Sequence, residues 1–117
     1  MVGLWLKAFA LTVAVESAVA IPLLREVDAR LWRRAAIVFF ANLASHPAVW
    51  FVFPALGASY STTIWVSEAW AVLIETAFFC VVFPDARRAR LVGVALLANG
   101  TSWAAGMLVR AMTPWIG

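Results

Sequence analysis

Polar residues are sparse along this chain, and the apolar ones between them form four long runs, at 4–24, 35–53, 64–83 and 91–109. Each run is about 20 residues. At about 1.5 Å of rise per residue, a helix of that length crosses the roughly 30 Å of hydrocarbon in a bilayer. The expected fold is therefore all-α: a polytopic membrane protein with four transmembrane helices in one bundle over residues 1–117. Pro22 and Pro84 mark ends of the first and third runs, and Pro54 an end of the second. Pro47 lies inside the second run and cannot donate to the carbonyl of Leu43, so a kink is expected there. Lys7, a short apolar core and Ala18-Val19-Ala20 also fit a cleaved signal peptide. Against that reading, Glu16 interrupts the apolar region, and the run matches the third one, which cannot be a signal.

The polar positions repeat. Asp28-Ala29-Arg30-Leu31-Trp32-Arg33 leads to Ala41-Asn42, Ser45 and Ala48; Asp85-Ala86-Arg87-Arg88-Ala89-Arg90 leads at the same spacing to Ala98-Asn99, Ser102 and Ala105. Both read D-A-R-x-x-R-x7-A-N-x-x-S-x-x-A. Upstream, Glu16 in Val13-Ala14-Val15-Glu16-Ser17-Ala18 answers Glu75 in Val72-Leu73-Ile74-Glu75-Thr76-Ala77. This is the mark of a tandem duplication of a helical hairpin, with repeat 1 at about 4–53 and repeat 2 at about 64–112. Each hairpin has an even number of spans, so the two share an orientation and a pseudo-two-fold axis along the membrane normal.

Composition agrees with the runs: 65% of residues are apolar and 13% charged. A soluble domain this small cannot hide so much apolar surface. The net charge of +3 does not point to nucleic acid, because the arginines gather at helix ends. Arg25, Arg30, Arg33 and Arg34 lie in the first connection, and Arg87, Arg88 and Arg90 in the third; only Lys7 and Arg110 lie elsewhere. The positive-inside rule puts loops 25–34 and 84–90 in the cytoplasm, with both termini and loop 54–63 outside. Asp28 and Asp85 are expected to cap the second and fourth helices. Trp5, Trp50, Trp65 and Trp115 form an outer aromatic belt and Trp32 an inner one, while Trp70 and Trp103 lie deeper. The single cysteine, Cys80, excludes an intrachain disulfide and a cysteine metal cluster. Asn99-Gly100-Thr101 spells a glycosylation sequon, but inside a membrane helix it is an accident.

The candidate chemistry is a polar layer. Glu16, Asn42, Glu75 and Asn99 each lie seven or eight residues from the arginine-bearing end of their runs, roughly 11–12 Å deep at the helical rise. A carboxyl there cannot snorkel to water, and leaving it unpaired costs several kcal/mol. The four must face one another or a wet cavity. Ser45 and Ser102 follow the asparagines by three residues, on the same helical face. Ala98, Ser102 and Gly106 form a small-residue track that permits close helix approach. His46, whose repeat partner is Trp103, has three readings: a hydrogen-bonded bundle residue, a proton-relay member, or an axial ligand to a tetrapyrrole. Glu68 and Arg110 align with Phe9 and Phe53 and have no counterpart in the first repeat; both are expected near the outer end, as an ion pair.

No nucleophile–His–carboxylate set, glycine-rich phosphate loop or metal motif is present, so neither an enzyme nor a bound metal or cofactor is expected. Two readings of the layer remain. As a site, its carboxyls oppose each other's ionisation and bind a proton or a small cation, in transport or sensing. As a clamp, protonated Glu16 and Glu75 donate to the asparagine carbonyls, the serines complete the network, and the chain is a non-catalytic accessory subunit of a larger membrane complex. Four helices with Glu16 in the first superficially resemble the small multidrug resistance transporters. Those lack a matching glutamate in helix 3 and the repeated A-N-x-x-S, so their function is not carried over. The layout of N-x-x-S-x-P in helix 2 and N-x-x-S in helix 4 more closely resembles small four-helix bacterial membrane proteins of unassigned function. That resemblance spans the chain and implies the bacterial inner (plasma) membrane. A chain this small barely encloses a solute path alone, so the expected partners are lipid and either a homo-oligomer or a larger membrane-protein complex.

Overall fold

The computed structural model describes residues 2–112. Four helices make up the fold: α1 (Val2–Leu23), α2 (Leu31–Pro47), α3 (Tyr60–Val82) and α4 (Arg88–Met112). All four are long and apolar enough to cross a membrane, α2 when counted with the turns that extend it to Leu56. The helices begin earlier than the apolar runs. α2 takes in Arg33 and Arg34, α3 takes in Ser61–Thr63, and α4 takes in Arg88 and Arg90. The backbone keeps its hydrogen bonds through the interface, while long side chains carry their charges out to water.

Pro47 acts one residue late. α2 stays α-helical through Pro47, then switches to a π-helical turn at Ala48–Val52 and a 3-10 turn at Phe53–Leu56. The missing N–H of Pro47 is absorbed by this change of winding on its far side. Trp70 of α3 adds support, donating its indole N–H to the carbonyl of Ser45 at 3.2 Å. Gly57, with φ at 78°, then reverses the chain in the left-handed region that suits glycine. Ser59 caps α3, its hydroxyl accepting from the Thr62 N–H at 3.2 Å.

Each helix packs against two neighbours in the cyclic order α1, α2, α3, α4, which leaves α1 and α3 on one diagonal. The longest dimension is 39 Å, enough to reach from one bilayer interface to the other. One end carries the arginine-rich connections and the other the aromatic cluster. The bundle is packed solid toward the basic end, where Leu24, Phe79 and Leu91 are fully buried and Ala20, Ala41, Ala95 and Ala98 let the helices close around them. Val81, Leu73 and Trp65, by contrast, face outward at 65–80% exposure, as lipid-facing residues should.

The arginines do more than mark an end. Arg34 of α2 donates to the carbonyl of Ile21, and Arg90 of α4 donates to that of Leu23 at 2.9 Å. Two cations thus cap the C-terminal carbonyls of α1, at the negative end of its dipole. Arg90 also reaches Glu26 at 3.4 Å. The expected aspartate caps are different in detail. Arg30 occupies the cap position of α2 and makes no side-chain cap bond. Asp28, two residues earlier, accepts from the Arg30 N–H at 3.0 Å and side chain at 3.2 Å, and binds Arg33 at 2.6 Å. Among the described residues Asp85 makes no such bond, because Arg90 is turned to α1 instead.

Two outcomes test this packing. Ala98 is 1% exposed in the solid half, so Ala98→Leu is expected to overpack it and cost about 1–3 kcal/mol in a denaturant titration. A side chain added at Gly106 would meet nothing within 4 Å, so Gly106→Ala should be neutral or stabilise by up to about 1 kcal/mol. At the basic end, hydrogen bonds from Arg30 lower the pKa of Asp28 from its ordinary 3.8. Its contribution is present above that value and fades as pH falls through the depressed one. Asp28→Asn should therefore be less stable than the parent at neutral pH, with the gap closing in acid.

Candidate functional site

Glu16 projects from α1 and Glu75 from α3, the two diagonal helices, and each is 1% exposed. Asn42 of α2 and Asn99 of α4 are 1% and 5% exposed. The four meet in one layer: Glu16 lies against Glu75 and the Asn42 amide, and Glu75 against Glu16 and the Asn99 amide. Helical spacing explains the meeting. In α1, Trp5, Phe9, Thr12 and Glu16 recur every three or four residues and share one inward face.

The asparagines are held alike. The Asn42 Nδ2 donates to the carbonyl of Val38 at 2.9 Å, and the Asn99 Nδ2 to that of Ala95 at 2.8 Å. Each bond runs one turn back along its own helix and fixes the amide against the neighbouring carboxyl. Ser45 is buried and turned the same way, toward the backbone carbonyl of Asn42 at 3.4 Å. It does not complete a network to the glutamates. Glu16 Oε1 and Glu75 Oε2 are buried without a hydrogen-bond partner.

On the side of the layer away from the apolar plug lies a cavity of about 160 Å³. Glu16, Asn42, Asn99, Ser45 and Ser102 line its inner part. His46, Glu68, Gly106 and Arg110 line it further out, and it reaches Tyr60, which is exposed at the aromatic end. Glu75 is not on the wall; it touches the cavity residues Glu16 and Asn99. All nine residues singled out by the sequence thus gather around one cavity. The small-residue track is put to a different use than expected. Ala98 is tightly packed, but Gly106 has open space where a Cβ would stand and widens the cavity instead.

His46 is a bonded bundle residue. The Trp5 indole donates to its Nδ1 at 3.1 Å, and its Nε2 lies 3.4 Å from the Thr12 hydroxyl. An indole N–H can only donate, so Nδ1 carries no proton, and a neutral ring holds its proton on Nε2 toward Thr12. Phe9 packs edge-on to the ring at 5.4 Å. With both nitrogens engaged, the ring has no free position for an axial ligand.

The expected Glu68–Arg110 ion pair is not formed. Arg110 donates to the Tyr60 hydroxyl at 2.9 Å. Tyr60 opens α3 eight residues before Glu68, about 12 Å nearer the helix end. Arg110 therefore reaches out to the interface, where its charge stays hydrated, and Glu68 is left inside without a cation among the described residues. Sequence reasoning misses the partners rather than the principals. It places Trp5 only in the belt and gives Tyr60 no role. The signal for Trp5 is its place on the Phe9–Thr12–Glu16 face. Among the described residues no cluster of three metal-ligating side chains occurs. No protein-family model, curated protein or solved structure matches this chain.

Nitrogen NMR of His46 should show an unprotonated Nδ1 and a protonated Nε2 at neutral pH. Trp5→Phe should abolish that preference and cost about 1–3 kcal/mol, the usual cost of a buried acceptor left without its donor.

Proposed function

We propose that this is a small integral membrane protein whose Glu16/Asn42/Glu75/Asn99 layer binds a proton or a small cation delivered from one side of the membrane, in transport or sensing. The observation that carries this reading is the pair of buried carboxyl oxygens, Glu16 Oε1 and Glu75 Oε2, left without partners beside a polar cavity and above an apolar plug. Two carboxyls in contact in a dry layer cannot both be charged, so the pair holds at least one proton between them. The cavity supplies a path for that proton on one side, and the plug blocks the other. A purely structural clamp has less support, because the asparagines and Ser45 spend hydrogen bonds within their own helix.

In this reading the two hairpins are tandem copies related by a pseudo-two-fold axis along the membrane normal. Matched burial supports the duplication. Ile37, Val38 and Ala41 pair with Val94, Ala95 and Ala98; Ala20 and Leu24 pair with Phe79 and Phe83; all ten are buried. The two asparagine bonds fall on the matched carbonyls of Val38 and Ala95. The arginine-rich loops 25–34 and 84–90 face the cytoplasm of a bacterial inner membrane, and the cavity opens outward. A homo-oligomer supplies the remaining walls of a solute path.

Reconstitution into liposomes with an internal pH dye, under imposed proton and cation gradients, tests the site. Flux is expected from the parent protein, with Glu16→Gln and Glu75→Gln each reducing it at least tenfold while remaining folded. Equal signals from the parent, both variants and empty liposomes would sink the proposal and leave the layer as packing.

A further inference from the structure

Glu68 and Arg110 stand apart in one cavity, and a larger depression leads to Glu68 from the flank of the bundle. α3 and α4 pack together near the basic end through Phe79, Phe83, Leu91 and Val94. Toward the aromatic end an open groove of about 890 Å³ lies between them, walled by apolar side chains such as Ile64, Leu73, Leu96 and Met107. That volume is within the range of ligand sites. Along α3 the groove extends from Tyr60 to Thr76, about 24 Å at the helical rise, a length that suits an extended lipid chain. Gly100 keeps it open, since a Cβ there would meet nothing within 4 Å. Glu68 and Asn99 line both the groove and the cavity, so the two spaces adjoin between α3 and α4.

We propose that the groove takes the hydrocarbon of an aminophospholipid whose head group enters the cavity, with its ammonium on Glu68 and its phosphate at Arg110. Charge complementarity selects this occupant. Glu68 has no hydrogen bond or ion pair among the described residues, and Arg110 is engaged only through one nitrogen by the neutral Tyr60 hydroxyl. The guanidinium of Arg110 and the carboxyl of Glu68 line one cavity without meeting, so a ligand that carries both charges can engage both. A purely cationic amphiphile would satisfy Glu68 and be repelled by Arg110; a purely anionic lipid would do the reverse. A zwitterionic head with N–H donors and a phosphate meets both, and the fork of the guanidinium suits phosphate oxygens. Neither residue belongs to the Glu16–Glu75 pair, so the lipid site adjoins the proposed proton layer through their shared cavity without including it.

The test is native mass spectrometry of the purified full chain after delipidation and exposure to equal amounts of phosphatidylethanolamine and phosphatidylglycerol. One phosphatidylethanolamine per chain is expected, at least tenfold over phosphatidylglycerol. Glu68→Gln should bring that ratio to within about twofold of unity, whereas Arg110→Gln, which loses the contact to the phosphate common to both lipids, should lower retention of both at least tenfold. Gly100→Trp should remove retention of both lipids. Arg110 is exposed near the end of its helix, so Arg110→Gln folds and reads the phosphate contact even where the other two variants do not fold. Equal retention of the two lipids by the parent, undiminished retention of both in Arg110→Gln, or displacement of phosphatidylethanolamine by tetraphenylphosphonium at equal concentration would each overturn the proposal.

Discussion

Two carboxyl groups sit where hydrocarbon surrounds the bundle and water does not reach freely. Each costs several kcal/mol unless it finds a polar neighbour. With Glu16 on α1 and Glu75 on α3, the cheapest solution is for the diagonal helices to present them to each other at one depth. That requirement fixes the rotation of both helices. It also explains the asparagines on the other two helices, whose amides fill the remaining sides of the layer. Because Asn42 and Asn99 are tied back to Val38 and Ala95, their orientation does not depend on the charge state of the glutamates. A layer built this way keeps its shape whichever carboxyl carries a proton.

The rest of the bundle divides at this layer. Toward the basic end the alanines of all but α3 let Phe79, Leu24 and Leu91 fill the centre. The C-terminus of α1 is locked from two sides by Arg34 and Arg90. The hairpins are thus joined across their connections by charge-assisted bonds as well as by apolar packing. Toward the aromatic end, Gly100 and Gly106 leave space, the winding of α2 changes after Pro47, and α3 and α4 leave a groove between them. Rigidity and openness are therefore segregated along the axis, and the candidate site lies at their boundary.

Run length and composition are enough to read four spanning helices, because a bilayer demands about 20 apolar residues and little else. Counting residues from the helix ends places Glu16, Asn42, Glu75 and Asn99 at one depth, because an α-helix converts sequence distance into depth almost without error. What cannot be read are the choices among partners of similar energy. Arg110 has two acceptors within the same cavity, and only the difference in hydration between Tyr60 and Glu68 decides which it meets. Asp28 has free helix N–H groups or arginine side chains to choose from, and takes the arginines. Helix ends are misjudged for a related reason. Arg33, Arg88 and Thr63 look like interruptions in a hydropathy pattern, yet their backbone is as helical as that of the leucines beyond them.

The unequal fate of the two halves bears on how the molecule works. In the proposed duplication, the positions packed toward the basic end kept their character, so that Ala41 answers Ala98 and Leu24 answers Phe83. Toward the aromatic end Ser45 still answers Ser102, but the copies differ at three other residues with chemistry: His46 against Trp103, Glu68 against Phe9, Arg110 against Phe53. A carboxyl pair on the axis is a single site shared by both copies and gains nothing from asymmetry. Under the proposed function access to it does, because a path that admitted an ion or a head group would need one wall that binds and another that closes. His46, bonded to Trp5 and Thr12 of α1, seals the first hairpin, while Glu68 and Gly100 open the second. Under the proposed function, one-sided divergence of this kind is what gives a symmetric polar layer a direction.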